Sequence, residues 1–155
     1  MFSNTGINFW NLSKYSNIHT IKGYGVSNPT HMTELYNGNI ALSVKKDSSY
    51  PIVIVDTTYY RVFKEICLTE KIKQSSSLCG CDQRSFVYAY KGTFLQISND
   101  NYKVIYESTE GNFNGVNGVV PLNGGKVFAV HNGKYISIVQ PGEYNKRKSF
   151  FNFWN

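Results

Sequence analysis

Charge is scarce in this chain: 17 % of its 155 residues are Asp, Glu, Lys or Arg, against about a quarter in soluble domains. Only ten are acidic, which leaves little material for a carboxylate site. Proline is scarce too, at four residues. No long apolar run occurs, and the first residues, MFSNTGINFW, lack a charged start followed by an apolar stretch. No secretory signal or transmembrane helix is therefore legible. The cysteines number three, an odd count: Cys67, Cys79 and Cys81. A reducing, intracellular, cytoplasmic setting is the expectation. The sequon at Asn11-Leu12-Ser13 carries no meaning there.

What is present is aromatic and β-forming. Phe, Trp and Tyr make up 15 % of the chain, with 12 Tyr and 10 Phe. Tyr, Ile, Val, Phe and Thr suit a pleated, half-buried surface, and Gly and Asn suit tight turns. The composition predicts an all-β protein. At this length one domain with a sizeable core is expected. The formal charge of +6 is spread over scattered lysines, with one short run, Lys146-Arg147-Lys148.

The chain repeats. Aligning IVIVDTTYYRVFKEI, FLQISNDNYKVIYES and ISIVQPGEYNKRKSF puts Tyr60, Tyr102 and Tyr144 in register, 42 residues apart each time. INFWNLSKYSNIHTI places Tyr15 in the same column, 45 residues before Tyr60. Five and four residues ahead of each Tyr stand the pairs Trp10-Asn11, Val55-Asp56, Ile97-Ser98 and Val139-Gln140. Upstream, three segments each carry two short apolar strands around a polar turn: Tyr36-Asn37-Gly38, Asp82-Gln83-Arg84 and Asn123-Gly124-Gly125. Asn-Gly and Gly-Gly mark hairpins because such turns need positive φ.

Each period thus holds four strands, a to d from inside to outside. The expected strands are 31–36, 39–44, 52–56 and 61–66; then 76–81, 85–90, 93–98 and 102–108; then 116–122, 126–131, 134–139 and one near 146–153. Before them stand a c strand at 7–11 and a d strand at 18–22.

A four-stranded unit of 40–45 residues whose third strand ends in an apolar residue and Asp resembles the blade of a WD-repeat β-propeller. The stretch Thr20-Ile21-Lys22-Gly23-Tyr24 resembles the end of that family's outer strand, with Tyr24 in place of His. Asp56 matches the family's Asp and Trp10 its Trp, in different repeats. The resemblance implies the fold and not the family's polar network; a kelch-like or other propeller of similar period has the same outline. The expectation is one partial propeller domain, 1–155: a half blade at 7–22 and blades at 31–66, 76–108 and 116–153. That is about half of a seven-bladed ring. The chain is then the C-terminal half of a longer protein, or pairs with a second copy or another half-ring, or stands as an open arc. An open arc would leave one uncovered apolar face at each end.

In a propeller the d–a and b–c loops share one rim. Here that rim carries the long loops 23–31, 45–51, 68–77 and 108–117. Long loops on a rigid scaffold are where binding sits. The candidate binding residues are Tyr24, His31, Lys45, Lys46, Tyr50, Lys71, Lys73 and Phe113. Tyr24, Tyr50 and Phe113 either anchor a partner or fold back as plugs.

Other chemistry finds no support. Cys79-Gly80-Cys81 lacks the further ligands a zinc site needs, and small residues suit a crowded inner strand. His19, His31 and His131 fall in different repeats with no nucleophile motif beside them. Asp47, Asp56, Asp82 and Asp100 lie at turns, where turn chemistry explains them. GNFNGVNG at 111–118 is followed by no Lys-Ser/Thr and no helix, so it is not a phosphate loop. Lys146-Arg147-Lys148 reads as charge on an exposed strand edge, and no arginine pair suggests a phosphoinositide site. Phe150, Phe151, Phe153 and Trp154 form an apolar cluster expected to cover a blade face or meet a partner.

The expected function is a non-enzymatic protein-binding scaffold with no cofactor and no metal. The expected partner is a protein or the remaining blades of the propeller, with self-association as a further option. Nucleic acid or an anionic membrane held by the basic surface is the alternative.

Overall fold

A computed structural model describes residues 2–3, 6–24, 31–44, 51–68, 76–90, 93–108, 116, 118–131 and 134–141. These hold fourteen strands, a short 3₁₀ turn at Asn123–Gly125 and no α-helix. Every strand pairing is antiparallel. The first sheet is β1 (Phe2–Ser3), β2 (Gly6–Asn11) and β3 (Ser16–Lys22). The second is β4 (Met32–Glu34), β5 (Ile40–Ser43), β6 (Ile52–Asp56) and β7 (Arg61–Ile66). The third is β8 (Ser76–Gly80), β9 (Ser85–Tyr90), β10 (Thr93–Ser98) and β11 (Val104–Ser108). The last is β12 (Gly118–Leu122), β13 (Val127–His131) and β14 (Ile136–Val139).

The protein is all-β, and each sheet takes its strands in chain order. This is the up-and-down order of a propeller blade. The strands begin and end within two residues of the repeat-based boundaries. β1 is an addition: it pairs with β2 on the side away from β3, where the repeat leads one to expect only a c and a d strand. The outer strand expected near 146–153 lies outside the described residues.

The chain divides into two compact units, Met1–Glu34 with Gly38–Lys73, and Leu35–Asn37 with Gln74–Asn155. In the first unit, Ile7 of β2 packs with Leu42 and Val44 and with Val53 and Val55 of β6. Phe9, Ile21, Tyr24, Ile40 and Val62 close around them. Gly6 opens β2 because a Cβ there would stand 2.2 Å from the Ile21 carbonyl oxygen. In the second unit, Val87, Ala89 and Phe94 pack with Val119, Phe128, Val130 and Val139. Phe94 and Phe128 tilt against each other at 5.3 Å. β8 and β12, the first strands of their sheets, run close together. In the third sheet β9 is buried at every position, and Leu78, Leu95 and Ile97 are buried as well.

The Tyr column has a backbone meaning. Tyr15, Tyr60 and Tyr102 have φ of 48°, 51° and 57°, a region non-glycine residues rarely enter. Each closes a four-residue turn between the c and d strands. The polar residue before the turn caps it. The Asn11 Oδ1 accepts the Lys14 amide at 3.0 Å. The Asp56 Oδ1 accepts the amides of Thr58 and Tyr59 at 2.8 and 3.0 Å. The Ser98 Oγ accepts the Asp100 amide at 3.1 Å. Side-chain bonds of this kind satisfy turn amides that a strand ladder cannot reach. Asp56 is thus structural, as its position implies.

A bulge follows each of these turns. The register slips between Phe9 and Trp10, Ile54 and Val55, and Gln96 and Ile97. The extra residues are Ile18, Phe63 and Ile105, three past each Tyr, and all three are exposed. A bulge twists an outer strand and blunts its free edge against further pairing. The other turns use equally local chemistry. The Asp82 Oδ1 accepts the amides of Arg84 and Ser85, both at 2.8 Å. The Asn99 Nδ2 donates to the carbonyls of Asp82 and Gln83 at 3.1 and 3.3 Å, tying two turns of the third sheet together.

Asp56→Ala removes the acceptor for two turn amides and is expected to cost about 1–2 kcal/mol in urea unfolding. Asp56→Asn keeps an acceptor oxygen at the same place and should lose less than half of that.

Candidate functional site: the outward face of the last sheet

The last sheet is apolar on both sides. Its register places Gly118, His131 and Ile136 in one row, Val120, Ala129 and Ile138 in the next but one, and Leu122 with Val127 beyond. Successive residues of a strand point to opposite faces, so these rows share a face. The rows between them carry Val119, Val130, Phe128 and Val139, which belong to the second unit's core. The outward rows are another matter. Ile136 is 65 % exposed, Val120 53 %, Ile138 46 % and Leu122 40 %. At the corresponding positions of earlier sheets, Ile7, Ile52, Ile54 and Phe94 are almost fully buried. Covering the four exposed side chains would contribute on the order of 1 kcal/mol each. His131 borders the patch, with Nε2 2.6 Å from where a Gly118 Cβ would stand.

The outward face of the first sheet differs. It carries Asn8, Trp10, Asn17 and Thr20, on the side away from Ile7 and Ile21. The Thr20 hydroxyl donates to the Asn8 Oδ1 at 2.7 Å. The Asn17 Nδ2 donates to the Asn8 Oδ1 at 3.3 Å and to the Thr20 Oγ at 3.2 Å. An open arc would leave an apolar face at each end; among the described residues the last sheet's outward face is aliphatic, whereas the first sheet's sets Asn8, Asn17 and Thr20 beside Trp10. The physical reason is composition: Asn8 and Asn17 stand where the second sheet has Val53 and Val62. That column difference is visible in the aligned repeats, although its place on a face is not.

Two of the expected rim residues are described. Tyr24 packs against the first unit's core, and its hydroxyl donates to the Glu65 Oε1 at 2.5 Å. Burial, with the Glu65 hydrogen bond and charge adding to it, pushes the Tyr24 hydroxyl up to about 12. Tyr24 therefore stays a neutral donor through neutral pH. His31 is half-buried, its carbonyl accepts the Ser43 amide at 3.1 Å, and burial lowers its imidazole below the ordinary 6.5. Lys45, Lys46, Tyr50, Lys71, Lys73 and Phe113 lie outside the described residues, as do Asp47, Lys146-Arg147-Lys148 and the terminal aromatic cluster.

The cysteines divide by burial. Cys79 and Cys81 pack against the second unit's core. The Cys79 thiol donates to the Gly80 carbonyl at 3.3 Å and the Cys81 thiol to the Cys79 carbonyl at 3.5 Å. Burial raises both thiols, and at Cys81 the charges of Cys79 and Asp82 raise it further. Cys67 is exposed just past β7. Among the described residues no group of three or more His, Cys, Asp or Glu could hold a metal ion. His19 stacks on Tyr60 at 6.0 Å in the first unit.

No described helix is long and apolar enough to cross a membrane. No family model matches the chain, and no curated protein matches it in sequence.

Native protein treated with a thiol reagent at pH 8 should be labelled at Cys67 first, with Cys79 and Cys81 reacting only after denaturation. Mass spectrometry of the labelled peptides reads this directly.

The unfolded chain takes up the His31 proton near 6.5, and the folded chain at lower pH. Below about 6.5 the unfolded state therefore binds more protons, and stability falls as the pH drops. His31→Gln should show a smaller loss of urea midpoint between pH 7 and pH 5.5 than the native chain.

Proposed function

We propose that this chain is a non-enzymatic protein-interaction module, a scaffold of WD-repeat-like propeller blades working in the cytoplasm. The observation that carries the reading is the outward face of the last sheet. A soluble β-sheet that packs one face normally turns a polar face to water. This one turns Val120, Leu122, Ile136 and Ile138 outward, and exposed apolar surface of that kind marks an interaction site. The repeated blade-like sheets support a scaffold role, because the last sheet's packing on the third holds the patch in shape. The described acidic side chains with visible contacts serve turns and core packing: Asp56 and Asp82 cap amides, and Glu65 accepts from Tyr24.

The test places a photo-cross-linker at the patch. A chain carrying Ile136→benzoylphenylalanine should cross-link to a protein, and added Val120→Asp should abolish the product. The same binding should persist at high salt, because burial of aliphatic side chains is not screened. Binding to polyuridylate or anionic vesicles that weakens steeply with salt would instead point to phosphate contacts and sink the reading. Circular dichroism should be unchanged by either substitution, since both side chains are exposed.

A further inference from the structure

The way neighbouring sheets meet inside each unit follows one rule. In the first unit, the earlier sheet offers Ile7 and Phe9, eight and six residues before its Tyr. The later sheet answers with Val53 and Val55, seven and five before its own. In the second unit, Phe94 stands eight before Tyr102, and Val139 stands five before Tyr144. In both units, therefore, the earlier sheet packs forward through its eight-before residue and the later sheet answers backward through its five-before residue. Ile136 and Ile138 stand eight and six before Tyr144. The exposed patch is thus a forward face, built to receive the backward face of another sheet.

The chain's own exposed backward face does not fit it. That face holds Asn8, seven before Tyr15, with Asn17 and Thr20 bonded around it. Pressing it onto Ile136 and Ile138 would strip water from amide groups that the aliphatic patch cannot bond, and such groups are costly to leave unsatisfied.

We propose that the last sheet docks a β-blade of another protein, one with aliphatic residues on its backward face. The Asn8–Asn17–Thr20 network keeps a second copy of this chain from docking there head to tail. The proposal rests on the interaction-module reading for the existence of a partner. It adds the partner's chemistry and the direction of docking. The network acts by refusing contact, a device that sets specificity as surely as a matching contact does. A face-to-face pair of last sheets would oppose two forward faces, an arrangement that neither unit uses.

The experiment rebuilds the missing backward face. Asn8→Val with Asn17→Val copies Val53 and Val62 of the second sheet. By light scattering after size exclusion, the native chain at micromolar concentration should be a monomer. The double variant should form head-to-tail oligomers, and adding Ile136→Asp should return them to monomer. Mixing native chain with the triple variant should give a one-to-one complex, since one supplies the forward face and the other the backward face. Native chains that self-associate, with loss of association in Ile136→Asp, would overturn the proposal even if the valine variants failed to fold, and would leave the interaction-module reading standing. A folded double variant that stays monomeric, or that assembles regardless of Ile136→Asp, would overturn it as well. Failure of the interaction-module reading shows separately, as the absence of any cross-link from position 136 in the native background.

Discussion

Ile7 and Phe9 of one sheet rest on Val53 and Val55 of the next, and the rest of the structure depends on contacts of this kind. A single repeat unit cannot bury its apolar face alone, so it gains by stacking on a neighbour. Fully burying an aliphatic side chain contributes about 1.5–3 kcal/mol. Two sheets that share a layer of them gain enough to offset the entropy of ordering both. The same contact recurs between Phe94 and the last sheet's Phe128 and Val139. Strand side chains alternate with a period of two, so each sheet has two sets of columns. β9 is buried at every position and β10 at every position but Gln96.

Stacking of this kind tolerates little slippage, and the turns prevent it. A one-residue shift would send Val53 and Val55 to the wrong face. Against that, β2, β6 and β10 each end in a side-chain cap, a four-residue turn and a Tyr held at positive φ. The left-handed region is disfavoured by about 1–2 kcal/mol for such a residue. What returns the cost is contact. Tyr60 lies 4.9 Å from Phe9, and the buried Tyr102 accepts a hydrogen bond from the Asn37 Nδ2 at 3.3 Å. Tyr15, with no described sheet ahead of it, is 86 % exposed. The Tyr column thus does two things at once: it shapes the turn, and in the interior repeats its ring meets residues from earlier in the chain.

The outward faces of the first and last sheets are not alike, and the proposed specificity rests on that difference. At one end amides and a hydroxyl bond to each other and present a surface that water solvates well. At the other, aliphatic side chains stand out from the sheet with no described strand against them. A molecule with two apolar ends would polymerise through its own repeat. A molecule with two polar ends would bind nothing by stacking. One polar and one aliphatic face is what the proposed role requires.

The repeat, the all-β class and nearly every strand boundary were legible in the amino-acid order, because turn caps, Gly-bearing hairpins and period-two alternation are local. Asp56 could be read as a turn residue, and Cys79 and Cys81 as core, for the same reason. Rim residues were harder. Tyr24 has the same sequence signature whether it anchors a partner or plugs the unit beneath it, and its bond to Glu65, 41 residues away, is not legible in the strand pattern. So too with the ends. Asn8 and Asn17 are nine residues apart and read as ordinary polar strand residues. Tertiary structure alone puts them side by side on an outward face and leaves Ile136 and Val120 facing out at the other end. Periodicity tells which residues share a face. Which face is covered depends on what lies beside the sheet, and that is a property of neighbours, not of the strand.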